Sequence, residues 1–208
     1  MPAKIEKITD VDPSDYPFYL LDSNVWIATL KSFNIGENAL ESKDRAYCNF
    51  VDAIISLNEQ NDPKALKKIK NQPKFIIINL LLSEVINAYL RNVAMRMYFG
   101  GGREYRTYNF KNDYRDNPST NYNERKESLI DDFMSHSDYF EFWDDDFRKI
   151  IDADLLRQLP ANTDYNDYYF YKFAVKQNIP VVSDDADFAI PEFKELHLIT
   201  NNPKILPK

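Results

Sequence analysis

Short apolar segments that alternate with helical patterns constrain the fold of this chain more than any other feature. Phe18–Leu21, Phe75–Ile78 and Ile179–Ser183 are four or five residues long and largely apolar or aromatic, as expected of strands buried on both faces of a sheet. Segments with helical spacing or helix-capping residues lie between them. We therefore predict an α/β fold in which helices cover both sides of a central, mainly parallel sheet.

The remaining elements follow from the same patterns. One helix is predicted to start at Val25. Six others are predicted at about Asp44–Leu57, Pro63–Lys70, Ser83–Tyr98, Glu127–Met134, Asp146–Leu159 and Thr163–Gln177. Two more strands are predicted at Tyr139–Phe142 and Leu196–Ile199. Residues 1–15 are expected to be a polar lead to a single domain at residues 16–208. Phe99–Glu124 has no apolar period, so we expect a long loop or insertion there.

The scarce residue types exclude several classes of function. Three of the 4 Gly are consecutive at Gly100–Gly102. The sequence therefore contains neither a Walker phosphate loop nor a dinucleotide-binding glycine motif. The 2 His are far apart and the 1 Cys stands alone, which excludes helical zinc motifs, cysteine-based metal sites and an internal disulfide. Such cysteine usage is typical of the reducing cytoplasm, where we expect this protein.

The chain also lacks a candidate membrane segment. No apolar run approaches the roughly 20 residues that a membrane span needs, so no membrane partner is expected. Carboxylates are then the most plentiful reactive groups. The cofactor that suits them is a hard divalent cation such as Mg²⁺ or Mn²⁺.

Several acids directly follow the predicted strands. Asp22 comes straight after Phe18–Leu21, and Asp184 and Asp185 come after Ile179–Ser183. Parallel strands end at the same edge of their sheet, and ligands bind at that edge. We therefore expect these acids to lie close together, although they are distant in sequence.

Helices are predicted to bring three further acids near this edge. Glu84 lies in the first turn of one predicted helix, and Asp164 and Asp167, three residues apart, open another. Taken singly, each of these acids is explained better by a helix cap, a first-turn acid or a turn residue. Together, however, four separate segments each supply acids, and clustered like charges resist ionisation unless a cation neutralises them. The pattern thus indicates bound Mg²⁺ or Mn²⁺.

Three segments that contain these acids resemble the successive acidic motifs of the PIN-domain ribonucleases. The VapC-type toxins are among the relatives of that family. The segments are Leu20–Val25, Ser83–Asn87 and Asp167–Phe188, and the resemblance runs from about Tyr16 to Thr200. The last motif is the most specific, because its spacing, its strand and its Asp-x-Asp-Phe ending agree. The resemblance implies a three-layer α/β/α sandwich and metal-dependent cleavage of RNA phosphodiester bonds.

The resemblance also assigns roles to individual residues. The acids that it implies for metal binding and catalysis are Asp22, Glu84, Asp167 and Asp185. The supporting residues are Asn24 and Ser183, which would steady the first and last acids, Asp164, an alternative third acid, and Asp187, which could assist or replace Asp185. A water activated by Mg²⁺ or Mn²⁺ would attack the phosphodiester and leave 5′-phosphate and 3′-hydroxyl ends. The insertion is longer than in the small toxins of the family, so a toxin that pairs with an antitoxin protein and another kind of nuclease both stay open.

An acidic chain is an awkward partner for RNA, whose affinity comes largely from phosphate contacts with Lys and Arg. The 26 Lys and Arg stand against 33 Asp and Glu, giving a net charge of −7. Residues 91–126, however, hold eight basic residues and four acids, so this part carries +4 and the rest −11. The candidate RNA-binding residues there are Arg103, Arg106, Lys111 and Arg115. Aromatic residues interleaved with them are suited to stacking on unpaired bases, but they could equally pack on the domain or on a second subunit of a homo-oligomer.

Two other classes of protein compete with the nuclease hypothesis. A phosphatase with an aspartyl nucleophile normally has a second acid two positions after the first, where this chain has Asn24. A non-enzymatic RNA- or protein-interaction module with the same fold would be expected to have lost one or more of the acids. All four motif positions are filled, which favours the enzyme.

Overall fold

Six parallel strands form the sheet at the centre of the molecule. The computed structural model describes residues 4–36, 40–101, 106–150, 156–161 and 163–207. The strands are β1 (Lys4–Lys7), β2 (Phe18–Leu21), β3 (Lys74–Ile77), β4 (Phe140–Phe142), β5 (Val181–Val182) and β6 (His197–Thr200). They lie in the order β1-β6-β5-β2-β3-β4, and all neighbouring pairs are parallel. The prediction of an α/β fold with a central, mainly parallel sheet is confirmed.

Helices cover both faces of this sheet. The α-helices are α1 (Ser23–Ile35), α2 (Arg45–Asn58), α3 (Pro63–Leu66), α4 (Asn79–Tyr89), α5 (Met95–Tyr98), α6 (Tyr122–Met134), α7 (Phe147–Ile150) and α8 (Tyr165–Gln177). Helix α1 packs with α2, α4 and α6, whereas α8 packs with α7. Right-handed crossovers place the first group on one face of the sheet and α8, on the return path to β5, on the other. The arrangement is the expected three-layer α/β/α sandwich. In the described ranges, no helix is long and apolar enough to cross a membrane.

The central strand β2 lies where the chain reverses its direction across the sheet. From β2 the chain moves outward through β3 to β4, and it then returns to the other side of β2 to form β5. A reversal of this kind leaves a crevice at the carboxyl ends of the two adjacent strands, where ligands bind in such folds. Asp22 follows β2 and Ser183 follows β5, so both residues border this crevice.

Aromatic packing fixes the helix that follows β2. The Trp26 ring on α1 makes edge contacts with Phe75, Phe133 and Phe140, at centroid distances of 5.3 to 5.5 Å. These rings belong to β3, α6 and β4 and are all buried. Buried aromatic pairs of this geometry add to the stability that their apolar area provides. The amino end of α1, with Asp22, is therefore held firmly against the sheet.

The helix that carries Glu84 begins earlier than the sequence predicts. Its first residue is Asn79 rather than Ser83. The β-branched isoleucines of β3 give way to leucines, which favour a helix. The Asp145 carboxylate, from a distant segment, also accepts a hydrogen bond of 3.5 Å from the Leu80 N–H. Glu84 therefore lies in the second turn of α4 and not in the first.

Two stretches predicted to be irregular contain regular structure. Strand β1 lies within the predicted polar lead, and its alternation of charged and apolar residues suits an edge strand with one exposed side. The predicted insertion includes a π-helical turn at Phe110–Arg115, and α6 begins at Tyr122 rather than near Glu127. A second π-helical turn, Leu90–Ala94, joins α4 to α5. A helix was predicted at residues 146–159. Its first part is present as α7, and residues 151–155 lie outside the described residues.

Candidate functional site

Asp22 borders the crevice and is buried, with 3% of its surface exposed. It caps α1, because its Oδ1 atom accepts a hydrogen bond of 2.7 Å from the Ser23 N–H. Its Oδ2 atom accepts a hydrogen bond of 2.8 Å from the Ser183 hydroxyl. The exposed Asn24 makes a longer contact, with its amide nitrogen 3.5 Å from the same oxygen. Asp22 is thus both a helix cap and a buried carboxylate whose two oxygens are fixed in position.

Ser183 links the first and last of the predicted acids. Its side chain is fully buried, donates to Asp22 and accepts a hydrogen bond of 2.9 Å from the Asp185 N–H. Asp185 begins a short 3₁₀ helix, where its Oδ1 atom accepts a hydrogen bond of 3.0 Å from the Asp187 N–H. Asp187 is exposed, and burial together with the charges of Asp185 and Asp164 raises the pKa of its carboxyl group. The serine hydroxyl therefore fixes the backbone at Asp185 relative to the Asp22 carboxylate.

Glu84 reaches the same site from α4. Its Oε1 atom accepts a hydrogen bond of 2.7 Å from the Ser23 hydroxyl, next to Asp22. Its Oε2 atom accepts one of 2.9 Å from the Asn166 amide on α8. Sequence reasoning gave neither Ser23 nor Asn166 a role, since no spacing rule connects them to an acid 61 or 82 residues away. Both side chains orient Glu84 through contacts that exist only in the folded chain.

The two acids at the start of α8 have different surroundings. Asp164 is exposed and caps the helix, accepting a hydrogen bond of 2.9 Å from the Asp167 N–H. Asp167 is half-buried, and the charges of Asp22, Asp185 and Glu84 all act on its carboxylate. The capping explanation thus applies to Asp164, while Asp167 belongs to the electrostatic cluster.

Burial and mutual repulsion oppose the ionisation of two acids of this cluster, Asp22 and Asp167. Burial raises the pKa of Asp22 to about 7, and the charges of Glu84 and Asp185 act in the same direction, against hydrogen bonds from Ser183 and the Ser23 N–H. Burial, followed by the charges of Asp164 and Asp22, raises the pKa of Asp167 to about 8.

The acids of this cluster lack ion-pair partners among the described residues. Within the part of the chain that the structure describes, none of the four acids Asp22, Glu84, Asp167 and Asp185 forms an ion pair with Lys or Arg. The adjacent Asp184 shows the contrast. Its carboxylate lies 3.4 Å from the Lys43 ammonium and accepts a hydrogen bond of 3.0 Å from the Tyr47 hydroxyl.

The four acids have the donor chemistry that Mg²⁺ or Mn²⁺ prefers. Carboxylate oxygens are the usual protein ligands of these ions. A bound cation would offset the burial and the mutual repulsion that raise the pKa of Asp22 and Asp167. In the described ranges, no group of three or more acidic, His or Cys side chains already lies within the reach of one shared ion. The donor set fits the cation in the chemical type of its oxygens, but the described side chains do not form a preassembled metal site.

The predicted RNA-binding segment is partly packed against the domain. Arg103 lies outside the described residues, whereas Arg106, Lys111 and Arg115 are exposed. The Arg115 guanidinium is already paired with the neighbouring Asp116 at 2.8 Å. The aromatic residues Phe99, Tyr108, Phe110, Tyr114 and Tyr122 contact one another, and Tyr114 is fully buried. Phe99, Phe110, Tyr114 and Tyr122 pack on the core of the domain, which is the alternative to base stacking, whereas Tyr108 is exposed.

Comparison with known proteins adds a structural likeness. No protein-family model matches the chain, and no curated protein matches its sequence. Among solved structures, the chain is similar to one in the crystal structure of VapBC2 from Rickettsia felis bound to a DNA fragment from their promoter. The two share 13% sequence identity over 87% of this chain and 98% of that one, with a TM-score of 0.43. At this level of similarity, the function has to be argued from the site itself.

Proposed function

We propose that the protein is a metal-dependent ribonuclease that hydrolyses RNA phosphodiester bonds at the cluster of Asp22, Glu84, Asp167 and Asp185. The observation that carries the proposal is electrostatic. Four segments bring carboxylates to one sheet edge, where burial and mutual repulsion raise the pKa of Asp22 and Asp167 and no described cation pairs with them. Such an arrangement is unfavourable for the fold alone and is typical of functional sites.

The four carboxylates would hold Mg²⁺ or Mn²⁺. A divalent ion in such a site lowers the pKa of water and neutralises charge on the phosphodiester. The resemblance to PIN-domain ribonucleases points to the same reaction, with 5′-phosphate and 3′-hydroxyl products.

The surrounding polar residues give the carboxylates fixed orientations. Ser183 and the Ser23 N–H hold the two oxygens of Asp22, while the Ser23 hydroxyl and Asn166 hold those of Glu84. Each of these groups donates to a carboxylate oxygen. In the described ranges, each oxygen of Glu84 accepts one such hydrogen bond and keeps a second lone pair for another partner. Carboxylates locked in this way lose little conformational freedom when they bind a ligand, which favours function.

A matched pair of variants tests the proposal. Asp22→Asn keeps the size of the side chain and an acceptor for the α1 cap but removes the charge. We expect it to lower Mn²⁺-dependent cleavage of a generic single-stranded RNA by at least about 100-fold. Asp184→Asn is the control, because Asp184 is an acid at the same sheet edge that is already paired with Lys43. It should cleave like the wild type.

Metal binding provides a second readout. Mn²⁺ should raise the melting temperature of the wild type and of the Asp184→Asn variant, and it should raise that of Asp22→Asn much less. Full cleavage by Asp22→Asn, in protein shown to be free of contaminating nuclease, would refute the assignment. Wild-type protein that binds RNA and leaves it intact with Mn²⁺ would instead identify a non-enzymatic interaction module.

A role as the toxin of a toxin–antitoxin pair is tested separately. The partner would be a protein encoded beside this chain that blocks the acidic site. We expect such a protein to co-purify with the nuclease and to suppress cleavage. Cleavage that the neighbouring gene product leaves unchanged would indicate a nuclease with another role.

A further inference from the structure

Two clefts border the acidic cluster, and they share no lining residue. The lysine cleft, of about 330 Å³, lies beside α1, and its charged residues are Lys31, Glu41, Lys43, Asp44, Asp184 and Asp185. The arginine cleft, of about 320 Å³, lies beside α4, and its polar residues are Ser83, Glu84, Asn87, Arg91, Asn92 and Asn166. Each cleft thus contains one acid of the cluster, so a bound strand can reach the cluster from either side.

The two clefts differ in charge. In the lysine cleft two lysines face four acids, and the Lys43 ammonium lies 3.4 Å from Asp184 and 3.9 Å from Glu41. In the arginine cleft the charged residues are Arg91 and Glu84. Because RNA carries a negative charge at every phosphate, it is repelled less by the arginine cleft.

Arg91 is held in position without being neutralised. Its guanidinium carbon lies 5.3 Å from the centroid of the Phe110 ring, which is a cation–π contact. It forms no ion pair in the described ranges. The contact joins the π-helical turn Leu90–Ala94 to the π-helical turn Phe110–Arg115. Turns of this kind are infrequent and occur disproportionately at functional sites.

The amides of the arginine cleft are suited to a nucleotide base. Asn87 donates a hydrogen bond of 2.8 Å to the Ser83 carbonyl, and Asn166 donates one of 2.9 Å to Glu84. Among the described residues, neither amide oxygen has a hydrogen-bond donor, so both can accept from base N–H groups. Bases of single-stranded RNA present such groups, because they are not paired with a second strand.

We infer that Arg91 binds a backbone phosphate of single-stranded RNA and that the arginine cleft holds the nucleotide adjacent to the scissile bond. This inference rests on the proposed nuclease function. It places the substrate on the α4 side of the cluster, with Phe110 orienting the guanidinium. Guanidinium groups suit this role because they donate several hydrogen bonds in a plane that matches a phosphate.

The test compares Arg91→Gln with Arg45→Gln. Arg45 is an exposed arginine on α2 that lines a separate hollow. For Mn²⁺-dependent cleavage of a short single-stranded RNA, Arg91→Gln should raise KM about tenfold and leave kcat nearly unchanged, because the contact is made equally in the ground and transition states. Arg45→Gln should change neither. Arg91→Lys keeps the charge and should restore part of the affinity.

A binding assay keeps the inference distinct from the proposed function. In the Asp22→Asn background, where cleavage is blocked, fluorescence anisotropy with the same RNA should show weaker binding for Arg91→Gln. The slope of log affinity against log salt concentration should also become shallower by about 1, as expected for the loss of one phosphate contact. Unchanged KM, affinity and salt slope in a folded Arg91→Gln variant would overturn the inference, while the nuclease assignment would stand on its own test. If the wild type failed to cleave RNA, weaker binding by this variant would still support the phosphate contact at Arg91, whereas the position beside a scissile bond would fall with the proposed function.

Discussion

The lysine cleft and the arginine cleft border the same carboxylates and have similar volumes, but their cations are used differently. The lysine cleft has two cations, and Lys43 lies within ion-pair distance of Asp184 and Glu41. The arginine cleft has one, and Arg91 contacts an aromatic ring instead of an acid. The cleft with more basic residues is therefore the less favourable one for a polyanion. The number of cations alone does not locate a binding surface, because neighbouring acids decide how much of their charge is available.

The largest effect that we expect is a difference in stability between variants of Asp22, in the acidic cluster, and of Asp184, in the lysine cleft. The pKa of Asp22 is raised to about 7 from 3.8, so between these values the native state holds a proton that the unfolded chain has released. Stability of the metal-free protein should then fall as pH rises through this window. Asp22→Asn should remove that penalty, which corresponds to roughly 4 kcal/mol at pH 8, and should stabilise the metal-free protein.

Urea unfolding in the presence of a chelator measures this difference. The gain from Asp22→Asn should shrink towards pH 4, where the wild-type carboxyl group is protonated in the native state. Asp184→Asn should bring no such gain, since it removes an acid that has Lys43 as its partner. A destabilised Asp22→Asn variant at pH 8 would show instead that the cap and hydrogen bonds outweigh the repulsion, and that the central carboxylate is structural.

Charge reversal compares the two clefts directly. Arg91→Glu should weaken single-stranded RNA binding by roughly 30-fold, because it replaces a phosphate contact with a repulsive charge beside Glu84. Lys43→Glu should weaken it by less than about threefold, since much of that lysine's charge is already offset. Anisotropy titrations in the Asp22→Asn background provide the measurement. Equal losses in the two variants would remove the distinction between the clefts.

The smallest expected effect tests how Arg91 is held. Phe110→Leu keeps an apolar side chain and removes the aromatic ring below the guanidinium. A cation–π contact at such a site contributes about 0.5 to 1 kcal/mol, so KM for RNA should rise about threefold and kcat should stay the same. Phe147→Leu, at an exposed phenylalanine of α7, is the matched control. A KM at the wild-type value for Phe110→Leu would show that the ring does not position Arg91.

Strand ends could be predicted from the sequence because their cause is local. A short apolar run followed by a polar residue ends a buried strand wherever the chain is placed, so Asp22 and Asp185 were expected at the carboxyl edge of the sheet. The start of α4 could not be predicted in this way. Its N-terminal backbone receives a contact from Asp145, which belongs to the segment after β4, and a contact between such distant segments leaves no periodic signal.

The choice among neighbouring acids also depended on the fold. From spacing alone, either Asp164 or Asp167 can be the third acid of the cluster, since both lie in the first turn of the same predicted helix. In the structure, the Asp164 carboxylate accepts a hydrogen bond from the Asp167 N–H. The Asp167 carboxylate, in contrast, is repelled by the charges of Asp22 and Asp185. Which side chain faces the cluster is set by how α8 packs on the sheet.

The sequence by itself determined the alternation of strands and helices, the parallel sheet and the set of acids at its edge. These follow from the length, period and polarity of local segments, which act on each residue regardless of its distant neighbours. Tertiary structure alone decided that Ser23 and Asn166 hold Glu84, that Lys43 is engaged by Asp184, and that Arg91 stacks on Phe110. Hydrogen bonds, ion pairs and ring contacts act over a few ångströms, so they arise only once folding has brought distant segments together.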